Sequence, residues 1–313
     1  MDKKLVYIVF ALSILVIVIS VIAVLKIKTL EESTPRRIIV ELERGHREFI
    51  PKVPEEMDFC GEKVPLNVLD VFERMERELL VNVHWSSATI LYLKRANRWF
   101  PIIESILGKN KIPNDFKYLA VIESGLTNAV SPAGAVGFWQ FMAPAAKKYG
   151  LDVTKEIDER YHIEKSTEAA CKYLKEAYSK YGNWTMAAAS YNYGINGIDK
   201  QMERQLSNNY YSLYLVEETS RFIFRLLAIK EIFKDPPKYG FQLNEDELYP
   251  PIETRTITVK TAIKDLAIFA KRHGVNYKVL KIFNPWLRNN FLPNKNKKTY
   301  DIVIPKESEI EIL

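Results

Sequence analysis

The sequence is poor in cysteine, with two in 313 residues, Cys60 and Cys171. They are far apart and belong to no CxxC or Cys/His grouping, which argues against structural zinc. In an oxidising compartment the two are open to pairing, but two small buried side chains is the simpler reading. Histidine is scarce too: His46, His84, His162 and His273 are scattered without ligand spacing. Each reads as an ordinary surface or core residue, and neither a metal nor another cofactor is expected. There is no dense Lys/Arg patch interleaved with aromatics, so nucleic acid is a poor partner. Residues 1–30 hold Lys3, Lys4, Lys26 and Lys28 against Asp2, half of the net charge of +6. The remaining +3 suits an acidic polymer without demanding one. No alternating strand pattern occurs between residues 68 and 235, which points to an all-α core. Finally, no carboxylate lies between Glu123 and Asp152. Any chemistry centred on that stretch rests on a single acid.

What is present begins with an unbroken apolar run, Leu5 to Leu25. It is long enough to cross a bilayer as one helix. It exceeds a signal-peptide core, and Val-Ile-Ala-Val at its end is a poor cleavage site. An uncleaved anchor over residues 1–28 is therefore expected. Lysines flank both ends, so charge sets its orientation only weakly. A short N-terminus ahead of a large domain favours that domain outside. Residues 29–67 are rich in Glu, Arg and Pro, without sustained period, and read as a spacer that then packs against the domain.

Val68 to Val83 is amphipathic, with apolar residues at helical spacing. Thr89 to Leu107 continues helically, with a break or kink expected at Pro101. A helix restarts after Pro113-Asn114-Asp115 and leads to Glu123. Glu164 to Tyr181, Trp184 to Tyr191 (capped by Asn183) and Glu217 to Phe233 are further helices. From Thr256 the pattern changes. A short strand to Val259, helices over Ala262 to Arg272 and Tyr277 to Phe283, and a closing strand Tyr300 to Ile304 give a β-α-α-β module.

The chemistry gathers in Tyr118 to Met142. Phe116, Leu119, Ala120 and Glu123 share one helix face, so an acid occupies a place where the pattern calls for an apolar residue. Burial there favours the neutral carboxyl, and Gly125 places Glu123 near a helix C-terminus, where the dipole disfavours negative charge. Both effects make a proton donor near neutral pH. The local pattern fits equally well a frayed helix end with Glu123 in water or paired with a lysine. The loop Ser131 to Gly137 is small and turn-rich, open to close approach by a polymer. Phe138 and Trp139 offer either apolar surface to sugar rings or plain core packing, and Gln140 offers an amide to hydroxyls. Tyr191 and Asn192 are polar groups at the end of a helix of small residues, ahead of Gly194.

These stretches resemble a known family. E-S-G-L at 123–126, N-A-V-S-P-A-G-A-V-G-F-W-Q-F-M at 128–142 and S-Y-N-Y-G at 190–194 are similar to the lytic murein transglycosylases, in the subfamily of membrane-bound lytic transglycosylase D. I-P-N-D-F-K-Y-L-A at 112–120, D-E-R at 158–160, S-T-E-A-A at 166–170 and E-T-S-R-F at 218–222 support the likeness, which runs from about Phe49 to Phe241. The resemblance implies a mainly α, goose-type lysozyme-like domain that cleaves the MurNAc–GlcNAc β-1,4 bond of peptidoglycan and leaves 1,6-anhydro-MurNAc ends. It implies Glu123 as the single acid and base. It makes Ser124 and Tyr191 the groups that hold Glu123, and Gln140 and Asn192 sugar contacts, with Gly137 and Trp139 in the same motif. Leu126 stands where the family has Phe, an aliphatic wall for an aromatic one. Tyr193 replaces a small residue, and an apolar run replaces a lipid anchor.

The expected organisation is thus an anchor at 1–28, a spacer at 29–67, a catalytic domain at 68–241 and a small module at 242–313. The module resembles LysM but lacks its G-D-T, with Lys260-Thr261-Ala262 in that place; glycan binding and a purely structural role stay open. The expected setting is a single pass through the bacterial inner membrane, with the catalytic domain on the periplasmic face and peptidoglycan strands as partner. A hydrolytic muramidase and a non-catalytic peptidoglycan-binding scaffold are the alternatives.

Overall fold

A computed structural model describes residues 15–26, 28 and 49–310. The chain divides into two compact units, Met1–Ile50 and Pro51–Leu313. In the first, residues 15–26 form helix α1, whose side chains are all exposed. The rest of the apolar run, Leu5 to Ile14, lies outside the described residues, as does residues 29–48 of the expected spacer. Among the described residues, no helix is long and apolar enough to cross a membrane.

The second unit opens with a hairpin, β1 (Asp58–Phe59) and β2 (Glu62–Lys63), which the sequence pattern did not announce. Phe59 is fully buried against Phe116. Lys230 bonds Asp58 and Asp115, and the Cys60 amide donates to Asp115. The segment 58–63 is therefore stitched onto the helices.

Helices α2 (Leu69–His84) and α3 (Ser86–Lys109) follow, then α4 (Lys117–Ser124), α5 (Ala143–Lys148), α6 (Ile163–Tyr181), α7 (Trp184–Tyr193), α8 (Ile195–Gln205) and α9 (Glu217–Lys234). Pro101 lies inside α3 without ending it. The sequence reading had no helix at α5 or α8, both short and polar-faced. Helix α7 lies deep in the fold, with Thr185 through Ser190 all buried. Its Ala187-Ala188-Ala189 lets α6 and α9 approach closely. Its start is fixed twice. Asn183 Oδ1 accepts from the Met186 amide at 2.8 Å, and Glu62 accepts from the amides of Trp184 and Thr185. A carboxylate at a helix N-terminus satisfies orphan donors and meets the positive end of the dipole.

Then come β3 (Thr254–Val259), α10 (Leu266–Arg272), α11 (Tyr277–Phe283), β4 (Tyr300–Pro305) and a last helical turn, α12 (Glu307–Ile310), with β3 and β4 antiparallel and Ile257 opposite Ile302. Helix α10 starts four residues later than its apolar pattern suggests, because Asp265 caps it by accepting from Ala267 and Ile268. Leu266, Ala270, Leu280, Leu287, Ile302 and Ile304 make a small separate core.

Candidate active site

Glu123 is the penultimate residue of α4. The helix does not fray there: Gly125 takes φ +61° and its amide closes on Val121 O at 2.8 Å. Phe116, Leu119 and Ala120, on the same face, are fully buried. The Glu123 side chain sits at the end of that apolar stripe, partly open to solvent. No lysine pairs with it, and no hydrogen bond to its carboxyl forms among the described residues. Burial pushes its pKa up to about 7. The Arg225 guanidinium opposes that rise, and the charge of Glu218 adds to it. This is the environment of a carboxyl that carries its proton near neutral pH.

A cleft of about 510 Å³ reaches α4 at the residue before Glu123, which is not itself part of the lining. Its walls include Ile122, Trp85, Tyr92, Asn82, and the same Arg225 and Glu218 that act on Glu123. Arg225 is anchored by donating to Ile122 O at 2.9 Å. Trp85, at the corner between α2 and α3, is 60% exposed, which leaves an aromatic face free at the cleft. Sequence reasoning gave no role to Trp85, Arg225 or Glu218. The one available signal was Arg225, a charge inside the apolar run Phe222 to Ile229.

The expected companions of Glu123 are close by but act differently from the roles the resemblance implied. Ser124 Oγ donates to Phe138 O and Ala120 O, both at 3.0 Å, rather than to Glu123. Tyr191 OH donates to Trp139 O at 2.8 Å. Burial and the charge of Glu123 hold its phenol well above its ordinary pKa, so it stays a donor. Both residues thus fix the loop that faces α4. Gln140 spends its amide on Ala129 O and Gly137 O, so it closes the loop instead of presenting itself to sugar. Trp139 is fully buried, with Nε1 bonded to Thr167, and Phe138 is buried against Trp99; both are core residues. Asn192 accepts from Thr219 at 2.7 Å and donates one amide hydrogen to Glu218 at 3.3 Å, which places it at the cleft. Leu126 is buried and forms no cleft wall, and Tyr193 packs over Gly197 on α8. Cys60 and Cys171 are both free.

Gly137 has a steric reason to be glycine. Its φ is +83°, and a Cβ there would lie 2.1 Å from the carbonyl oxygen of Arg160. Backbone on backbone leaves no rotamer escape, so Gly137→Ala must displace the loop. We expect a loss of at least about 2 kcal/mol in chemical denaturation. An unchanged midpoint would refute the close approach.

Comparison with known proteins fits this geometry. Residues 100–213 match the transglycosylase SLT domain. Residues 255–308 match the soluble lytic transglycosylase C-terminal LysM-like domain. The membrane-bound lytic murein transglycosylase D of two Escherichia coli strains is 26% identical over 222 residues, 68% of this chain and 47% of those proteins. A putative tributyltin chloride resistance protein of an Alteromonas species is 25% identical over 122 residues, 38% of this chain and 59% of that protein. The chain spans about half the length of the first two relatives. The SLT match contains Glu123, the loop and Tyr191; Glu218 and Arg225 on α9 lie beyond it.

Proposed function

We propose that this protein is a peptidoglycan lytic transglycosylase that cleaves the MurNAc–GlcNAc β-1,4 bond, with Glu123 as acid and then base. The observation that carries the reading is the Glu123 carboxyl: one residue along from the cleft wall at Ile122, bonded to no described side chain and with its pKa raised to about 7. Such a group gives its proton to the glycosidic oxygen and, once ionised, takes one from the muramic C6 hydroxyl as that oxygen closes on C1. No water enters, so the product ends are 1,6-anhydro. Asn192, Trp85 and Arg225 line the path a glycan would take. The unbroken apolar run at Leu5 to Leu25 supports attachment to the inner membrane by one pass, with this domain on the periplasmic face. The LysM-like match supports peptidoglycan as the partner.

A second reading, hydrolysis, draws on Glu218, a second carboxylate whose charge reaches Glu123. Two carboxylates are what a hydrolytic glycosidase uses. Mass analysis of fragments from purified sacculi separates the two, since anhydro ends are one water lighter than hydrolysed ends. Glu218→Gln separates them again. It leaves a transglycosylase within a few-fold of wild type but costs a hydrolase roughly 10²–10⁴-fold. Hydrolysed ends together with a crippled Glu218→Gln would overturn the proposal. Sacculi left intact by the wild-type chain would leave only a binding scaffold.

The pH dependence has a definite sign. The first step needs protonated Glu123, so kcat/KM should be flat on the acid side. It should fall about tenfold per pH unit above the Glu123 pKa near 7. A profile that rises through pH 7–9 would exclude Glu123 as the acid.

A further inference from the structure

The LysM-like module is joined to the SLT domain by more than a linker. Ile157, which lies within the SLT match, is buried in the module's own hydrophobic core beside Leu287. A β-bridge flanks it: the Asp158 amide donates to Trp286 O at 2.9 Å, and the Arg288 amide to Glu156 O at 2.8 Å. His162 stacks on Trp286, and the Arg288 guanidinium lies 4.1 Å from the Tyr161 ring centre. Lys298 adds an ion pair to Asp152. The module therefore holds the segment 152–162 along its length.

The other face of that segment grips the active-site loop. Asp158 pairs with Arg160 through both carboxylate oxygens, at 2.9 and 2.7 Å. Arg160 Nη1 donates to Gly134 O and Phe141 O, each at 3.1 Å, and its carbonyl oxygen fills the space over Gly137. The loop in turn accepts from Ser124 and Tyr191, the neighbours of Glu123. A continuous set of bonds thus leads from Trp286 in the module to the residue after Glu123.

We propose that the LysM-like module is a positioning brace for the catalytic loop: it holds Ile157 and Asp158, Asp158 aims Arg160, and Arg160 sets the loop 134–141 against α4. The module's action is on turnover, through loop geometry, and Ile157 is a positioning residue that touches no substrate. This rests on the assignment of Glu123 and its loop as the active site.

The test compares the full-length chain with Ile157→Ala and the conservative Ile157→Val. Hydrogen–deuterium exchange reads the loop directly, through the bonded amides of Val136, Gly137 and Phe141. In Ile157→Ala these amides should exchange at least about tenfold faster, with α2 and α9 unchanged as evidence that the domain stays folded. Ile157→Val should show a smaller change in the same direction, which keeps the test open if the alanine variant is too unstable. On sacculi, kcat should fall about tenfold while KM moves less than about twofold, as expected of lost positioning. Ile268→Glu, on the exposed face of α10 and away from the joint, should change neither. Faster exchange in the module with no change in the loop overturns the brace. So does a rise in KM at constant kcat in Ile157→Ala, or in Ile268→Glu, since that marks a glycan-binding appendage. The exchange measurement stands even if no glycan is cleaved, so failure of the brace and failure of the proposed activity are told apart.

Discussion

Glu123→Gln is expected to abolish glycan cleavage and to make the protein more stable. The amide keeps the size and shape of the carboxyl but can neither donate the proton nor accept one. Loss of a general acid costs roughly 10²–10⁴-fold, and loss of both roles belongs at the upper end or beyond. The stability gain follows from linkage. In the folded protein Glu123 binds its proton up to about pH 7, whereas in the unfolded chain it ionises at its ordinary value near 4.5. The folded state therefore loses stability as pH rises from about 4.5 to 7, and the loss is complete above that window. Glutamine does not titrate, so the variant escapes it. At pH 8 the gain should be on the order of 2 kcal/mol, and it should shrink at pH 4.5. Calorimetry at the two pH values, with sacculus digestion at pH 6, checks both halves. Retained activity would remove Glu123 from the mechanism. A loss of stability at pH 8 would show that it serves the fold instead.

Arg160→Ala is the most damaging substitution expected for the fold. Arg160 and Asp158 are both about nine-tenths buried as side chains, and the arginine uses four of its five side-chain N–H groups. Two bonds go to Asp158 and two to the carbonyls of Gly134 and Phe141. Alanine strands a buried carboxylate and two carbonyl groups together. Removing one partner of a buried pair costs about 3–5 kcal/mol, because the remaining charge is left uncompensated. Over a domain of this size that is a fall of roughly 10 °C in Tm. Lysine should not rescue it, since a single ammonium cannot reproduce a planar fork that serves a carboxylate and two carbonyls at once. Activity should fall with stability, since the Phe138 and Trp139 carbonyls would lose their place beside Ser124 and Tyr191. A Tm within about 2 °C of wild type would refute the role.

The helical architecture was readable because it rests on local causes. Apolar spacing marked α2, α3, α6 and α9, and Asn183 marked the start of α7. The β-α-α-β order of the C-terminal module was equally plain from its short apolar runs. Glu123 stood out for the same reason: a carboxylate on an apolar face is visible at a spacing of three and four residues. The sequence alone thus determined the candidate acid, the run of small residues after it and most of the succession of helices.

Tertiary structure decided what each group does. Trp139 and Phe138 looked fit to meet sugars, yet they are core, because the turn at Gly137 directs them inward beneath Arg160. Ser124, Tyr191 and Gln140 were expected to face the acid or the glycan, yet they satisfy loop carbonyls. Buried peptide oxygens must find donors, and these side chains are the ones within reach. The groups that shift Glu123, Arg225 and Glu218, come from a helix about a hundred residues away, and charge acts through space rather than along the chain. The link from Trp286 through Ile157 to Arg160 is likewise invisible in any one segment. Periodicity reports which face of an element is buried; only the packing of distant elements reports against what.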